Sequence, residues 1–262
     1  MIRQFEPRYN TPGSVFRNSV YALTVKSLKS KFGTFSFGFF WIFLEPLFHL
    51  IIILTIFGVV FGRLDGDLFS IRTLLFTILN WFLIRDIITS NINTLYSNRN
   101  YLGFPTLKPI MFYISGYVSN IITSFSIQGT FFILALIFLD NFYFHNTWKL
   151  IFIFVIASFF GLVISIILAS LSINKPGLKK LLILSLRFLY IGSLVIIPIN
   201  IIPDPFSIFV LLNPLAQLME LIREIIIPSR DFGISISYIL TWLAFLSPIS
   251  IFIYYFIGRH ID

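Results

Sequence analysis

Glu45 and His49 stand one helical turn apart, with Trp41 a turn before them and Pro46 alongside, inside an apolar run from Phe37 to Phe61. Recurrence every fourth residue puts Trp41, Glu45 and His49 on one helix face, and Glu45 lies about a dozen Å past the start of the run. A carboxylate at that depth is costly unless paired or wet, so it is either functional or a structural hydrogen-bond partner for a neighbouring helix. A second apolar run, Thr73 to Tyr96, raises the same question with Asn80, Arg85 and Asp86. Arg85 and Asp86 are successive and point about 100° apart on a helix, so they need not pair with each other. Arg85 either lines a path for an acidic substrate or locks two helices together. As an acid and base, Glu45 and His49 are the one poor candidate for covalent chemistry.

Other catalytic patterns fail on residue type or spacing. Gly33 and Gly38 have the gap of a phosphate-binding loop, but Phe39 and Phe40 stand where a lysine and a Ser or Thr belong. His49, His145 and His260 fall in separate segments, which leaves no helical pair to hold a metal or build a dyad. Gly-x-Ser-x-Gly is absent. With no cysteine there is no thiol nucleophile, disulfide or thiolate metal site. The expectation is a chain with no catalytic residues, no metal and no cofactor of its own, doing transport or structural work.

The elements that must position these residues follow from hydropathy. With 57% hydrophobic and only 11% charged residues, the 262-residue chain carries too much apolar surface for a soluble domain. Its charges gather in short breaks between runs long enough to cross a hydrocarbon core of roughly 30 Å, and the runs lack the alternation of a membrane barrel. About six spans are expected: 37–61, 73–96, 110–139, 150–171, 181–202 and 234–257. If the N-terminus is inside, the inner segments collect Arg3, Arg8, Arg17, Lys26, Lys29, Lys31, Arg85, Arg99, Lys108, Lys175, Lys179, Lys180, Arg187 and Arg259. The outer segments keep Arg63, Arg72, Lys149, Arg223 and Arg230, so both termini are expected in the cytoplasm. The net charge of +8 then reports orientation and attraction to anionic headgroups rather than nucleic-acid binding.

Residues 1–36 read as a cytoplasmic N-terminus and 37–262 as the transmembrane domain. Between Ser14 and Phe32 the spacing is helical: Tyr21, Val25, Leu28 and Phe32 form one apolar stripe, Phe16, Val20 and Leu23 a neighbouring one. Asn18, Ser19, Lys26, Lys29 and Ser30 fall opposite, which predicts an amphipathic interface helix. The segment 203–233 is apolar yet broken by Pro203, Pro205, Pro214 and Pro228. It is expected to form short re-entrant helices, one over Leu215 to Ile227 with Glu220, Arg223 and Glu224 on adjoining positions. Such backbone survives at membrane depth only against protein or a water-filled space.

Several segments resemble the membrane subunit of capsular polysaccharide ABC exporters, within the type-two exporter permeases. Leu28-Lys29-Ser30-Lys31-Phe32-Gly33 is similar to the basic stretch of that family's interface helix. Gly38-Phe39-Phe40-Trp41-Ile42-Phe43-Leu44-Glu45-Pro46-Leu47-Phe48-His49 resembles its Gly-x-x-Trp-x-x-Leu-Glu-Pro-Leu-x-His signature. Asn98-Arg99-Asn100-Tyr101-Leu102-Gly103-Phe104-Pro105 resembles its cytoplasmic loop, and Arg187-Phe188-Leu189-Tyr190 and Asn213-Pro214-Leu215 extend the likeness. Ile191-Gly192-Ser193-Leu194-Val195 departs from the family's Ser-Gly and phenylalanines at that place.

The resemblance implies a homodimer in the bacterial inner membrane, bound to two ATPase subunits that hold ATP and Mg, with the glycan passing at the dimer interface. Asn98, Arg99, Phe104 and Pro105, within a loop over 97–109, are expected to couple to the ATPase. Lys26, Lys29, Lys31, Trp41, Glu45, His49 and Arg85 are expected to admit or bind a lipid-linked glycan. Asn213, Pro214, Glu220 and Arg223 are expected at a periplasmic gate, near a periplasmic copolymerase and an outer-membrane channel. The rivals are an exporter of O-antigen, teichoic acid or drugs, a membrane-embedded transferase acting on lipid-linked sugars, and a structural scaffold.

Overall fold

The computed structural model describes residues 11–33, 38–60, 70–101, 103–104, 106–138, 147–227 and 234–258. Among them all regular structure is helical, in the order α1 (Pro12–Phe32), α2 (Gly38–Thr55), α3 (Ile71–Ser97), α4 (Pro109–Phe138), α5 (Thr147–Leu171), α6 (Pro176–Gly192), α7 (Phe206–Leu211), α8 (Pro214–Ile226) and α9 (Ile236–Ile253). By length and composition four stretches can cross a membrane: Phe40–Gly58, Pro109–Phe138, Trp148–Leu171 and Ile236–Ile257. They correspond to the first, third, fourth and sixth apolar runs. Phe125, Ile133 and Ile137 on α4, Ile151 and Phe159 on α5, Phe245 and Phe252 on α9, and Phe256 just beyond it are exposed, the surface that acyl chains solvate.

The second run forms α3, the axis of the bundle. Every side chain from Thr73 to Ile84 is buried, and α3 packs most extensively on α5 and α4, with α2, α6 and α8 adding smaller contacts. Close approach of α5 depends on small residues four apart, Ala157, Gly161 and Ser165. A Cβ on Gly161 would lie 3.2 Å from Ile87 Cδ1 and 3.4 Å from Ile84 Cα. One turn on, Asn91 Nδ2 donates to Ser165 Oγ at 2.7 Å. Enclosure by other helices is what lets α3 carry more polar residues than a lipid-facing helix could.

The fifth run corrects the reading. A continuous span over 181–202 is not formed: α6 ends at Gly192, the chain turns through 193–198 with Leu194 at φ 57°, and a single 3-10 turn follows at Ile199–Ile201. Pro198 cannot donate to a helical ladder, and the freed backbone groups find side-chain partners on other elements instead. Two short helices then follow, as the prolines suggested. Pro214 occupies the first turn of α8, and Asn213 caps it, Leu215 N–H donating to Asn213 Oδ1 at 3.0 Å.

α1 packs on the bundle through one of its two apolar stripes. Phe16, Val20 and Leu23 pack on Met111 and Phe112 at the start of α4, whereas Tyr21 on the other apolar stripe is 71% exposed. Polar side chains of α1 also reach the neighbouring helices: Ser27 Oγ donates to Ser119 Oγ at 3.1 Å, Lys26 Nζ to Asn98 Oδ1 at 2.7 Å and Lys31 Nζ to Asn120 Oδ1 at 2.7 Å. An apolar stripe alone does not fix which side faces the bundle when the bundle itself offers polar partners.

Candidate functional site

The C-terminal end of α1, the first half of α2, and the middles of α3 and α4 enclose a cleft of about 740 Å³. Glu45 comes from α2 just before Pro46, whose missing N–H loosens the helix where the carboxylate must leave its own backbone. Arg85 from α3 reaches it, Nη1 to Glu45 Oε1 at 2.9 Å, and Arg85 also meets Asp86 Oδ1 at 2.8 Å. Arg85 and Asp86, which helix geometry left free to pair or not, do pair: the long guanidinium curls back over the adjacent carboxylate while bridging to α2. Its flat face lies 4.1 Å from the Phe82 ring centroid. With 28% and 44% of the Arg85 and Glu45 side chains exposed, this pair faces the open cleft.

His49, one turn beyond Glu45, does not line the cleft. It hydrogen-bonds Tyr190 of α6 and packs against Phe82 at 5.4 Å, while Tyr190 leans on Trp81 at 5.6 Å. The face shared by Trp41, Glu45 and His49 thus divides: Trp41 is exposed at the cleft rim, Glu45 ties α2 to α3, and His49 ties α2 to α6.

The three α1 lysines are separated as well. Successive helical positions turn by about 100°, so Lys29 and Lys31 point roughly 160° apart and Lys26 and Lys31 roughly 140° apart. Lys31 enters the cleft. Burial pushes its ammonium below the usual lysine range, with the Asp86 carboxylate pulling partly the other way. Lys26 faces a smaller cavity of about 290 Å³ between α1, α3 and α4, and lies 3.8 Å over the Tyr101 ring. Lys29 is exposed and lines neither cavity. The two cavities share Lys31, Ser90 and Asn93, giving a polar seam from the end of α3 to the Glu45–Arg85 pair.

Sequence reasoning missed the far wall. Asn120, Thr123, Ser124 and Gln128 line the cleft from α4, facing Asp86, Thr89, Ser90 and Asn93 of α3. The signal was available: polar side chains at steps of three to four within an otherwise apolar run mark a face that avoids lipid.

At the end of α3, Asn98 is a cap, donating Nδ2 to Thr94 O at 2.8 Å while accepting from Lys26. Linked turns follow, Tyr101 N–H to Asn98 O at 2.9 Å and Phe104 N–H to Tyr101 O at 3.2 Å. They present Tyr101 and Phe104 outward, Phe104 55% exposed. Pro105 and the Arg99 side chain lie outside the described residues, as do residues 1–10, His145, Pro228 and His260.

Glu220 and Arg223 form a buried pair, Nη1 to Oε1 at 2.6 Å with side chains 0% and 1% exposed. Arg223 Nη2 donates to the carbonyls of Leu194 and Val195 at 2.6 and 2.9 Å. Glu220 Oε1 accepts from Ile199 N–H at 3.0 Å, and Thr77 of α3 donates to Val195 O at 2.8 Å. Asn213 donates to Gly192 O and Ser193 Oγ, both at 3.1 Å. This charge pair satisfies the broken backbone of the fifth run; neither side chain offers a surface to another protein.

An all-helical bundle with a charged lateral cleft, whose broken fifth run is completed by side chains, has the build of a polytopic membrane protein. Among the described residues no three His, Asp or Glu side chains gather as metal ligands. No family model matches the chain. Two Escherichia coli proteins, each called polysialic acid transport protein KpsM, are similar to it: one is 26% identical over 236 residues, the other 26% identical over 238, each match covering 90% of this chain and 90% of the relative. The similarity to these two transport proteins runs along most of the chain.

Proposed function

We propose that this chain is the membrane-spanning permease subunit of an ATP-driven exporter that carries a capsular polysaccharide out of the cytoplasm. The observation that carries the reading is the coincidence of the signature segment with the charged cleft. Glu45 from that segment is held by Arg85, with Lys31 lining the same cleft, and the relatives that match over 90% of the chain are named for transport of polysialic acid, an acidic glycan. A non-catalytic role accords with this: the sequence offers no phosphate-binding loop, so the energy comes from separate ATPase subunits holding ATP and Mg. Tyr101 and Phe104, projecting beside the Asn98 cap, form the contact for that partner, and closure of the ATPase moves the rigid α3–α4 unit.

Two copies enclose the passage in this reading. Arg187 is exposed on α6 beside exposed Leu184, Phe188 and Ile191. A guanidinium at that depth is sheltered by a second subunit or a water-filled canal, not by lipid. The basic ends of the helices face the cytoplasm, Lys31 and Arg85 attract the acidic cargo, and the α7–α8 region closes the outer side.

Deletion of the gene in its own host, with analysis of surface and intracellular polysaccharide, tests the reading. The expected result is capsule lost from the surface, glycan accumulating inside, and rescue by the native chain but not by Glu45→Gln with Arg85→Gln. Capsule intact in the deletion strain, with loss of O-antigen, teichoic acid or drug resistance instead, overturns the substrate. Turnover of a lipid-linked sugar by the purified chain alone overturns the class.

A further inference from the structure

A second large cavity, which shares Asn93 with the cleft, lies between the C-terminal half of α3, the end of α5 and the start of α6. It has a volume of about 840 Å³. Lys175, Lys179 and Lys180 line it together with Tyr96, and Ile92, Leu95, Ala169, Ile173 and Ile183 supply apolar wall. No carboxylate lines it, and among the described residues none of these lysines forms an ion pair.

The arrangement is electrostatically unfavourable as it stands. Lys175 is the N-cap residue of α6 and makes no capping bond, and the first turn carries no acidic residue. Lys179 and Lys180 follow within that helix's first turn and a half. Three ammonium groups thus crowd the positive end of a helix dipole, where a stable helix ordinarily places Asp or Glu. The chain holds them there by specific means. Asn174 at φ 58° turns the backbone sharply, Lys175 N–H donates to Ser172 O at 3.1 Å, and the Lys179 ammonium sits 4.7 Å over the Tyr96 ring.

We infer that this cavity is a binding site for the phosphodiester headgroup of an anionic glycerolipid, the three lysines neutralising the phosphate and the apolar wall taking the glyceride carbons. A free inorganic anion would make no use of the apolar wall, and a neutral lipid no use of the lysines. The lipid can be a resident of the bilayer or the phosphate-bearing anchor of a lipid-linked cargo; the chemistry of the site is the same. The inference is independent of the exporter reading, since it requires only that the chain sit in a membrane.

The test uses the full-length chain, delipidated in detergent and incubated with phosphatidylglycerol or phosphatidylcholine, with bound lipid counted by native mass spectrometry. Native protein is expected to retain phosphatidylglycerol and release phosphatidylcholine. Converting all three lysines (Lys175→Gln, Lys179→Gln, Lys180→Gln) is expected to weaken retention roughly fivefold per lysine, about a hundredfold in all. The same three positions changed to Arg should restore it, and Lys108→Gln, elsewhere on the basic end, should leave it unchanged. Retention within twofold of native in the triple Gln variant, at an unchanged elution profile, overturns the proposal, as does equal retention of phosphatidylcholine. Comparing chains purified from cells able and unable to make lipid-linked glycan identifies the source: bilayer lipid in both preparations, or an anchor mass in the first alone.

Discussion

Replacing Arg223 with Met is the sharpest test of how the broken crossing is held. The guanidinium donates to the Leu194 carbonyl, shares the Val195 carbonyl with Thr77, and faces Glu220 at 2.6 Å with both side chains buried. Removing it leaves a buried carboxylate without its counter-charge, and breaking one half of such a pair costs about 3–5 kcal/mol. For a chain of this size that is a fall in melting temperature on the order of 10 °C. Glu220→Gln with Arg223→Met tells charge from backbone: Gln keeps an acceptor for Ile199 N–H and no charge is left buried. The remaining cost is the orphaned Leu194 carbonyl, about 1–3 kcal/mol. The double variant is therefore expected to be more stable than Arg223→Met alone. Thermal unfolding of the full chain in detergent, followed by tryptophan fluorescence and by size-exclusion of heated samples, reads both. A single variant that melts with the native protein, or a double variant less stable than the single, refutes the reasoning.

Glu45→Gln should cost no more than about 1 kcal/mol, because its pair with Arg85 is partly exposed and screened, yet lower export several-fold; melting temperature and surface glycan separate the two effects. Phe104→Ala should leave stability within about 0.5 kcal/mol of native and abolish co-purification of the ATPase; an intact complex that still exports counts against the contact. Gly161→Leu should cost about 1–3 kcal/mol or more by forcing α5 off α3, read as loss of folded protein on size-exclusion, with Gly161→Ala milder. Tyr190→Phe removes the partner of His49 between α2 and α6 and should lower the melting temperature by a few degrees, checked by the same unfolding assay.

Much of the fold was legible because lipid leaves so few solutions. Apolar runs and the charges between them gave α2, α4, α5 and α9 nearly to their ends, and Asn213-Pro214 and Pro228 located α8. The site was legible in part: Glu45 and Arg85 stood out as costly ions, but a sequence does not say that one guanidinium spans two carboxylates. The break after Gly192 was hidden because Leu194 to Ile202 is as apolar as a span. Its outward signs were Pro198 within the run and the Glu220–Arg223 pair downstream, whose partners are backbone atoms that no residue type announces. The packing of α1 was not legible for a related reason, since Asn98 and Asn120, the partners of Lys26 and Lys31, lie far along the chain. The α3–α5 lysine cavity shows only as scattered positive charge until the helices are brought together.

The turn at Ser193–Pro198 has a consequence for electrical tightness. α6 supplies about 26 Å of rise before it stops, so over that sector the insulating layer is not a helix but a plug. Leu194, Ile199 and Ala216, with Ile202, Val210 and Leu211 against them, are that plug. A polar substitution there, such as Ala216→Asp, would make the idle protein a proton or ion leak before it impaired anything it carries.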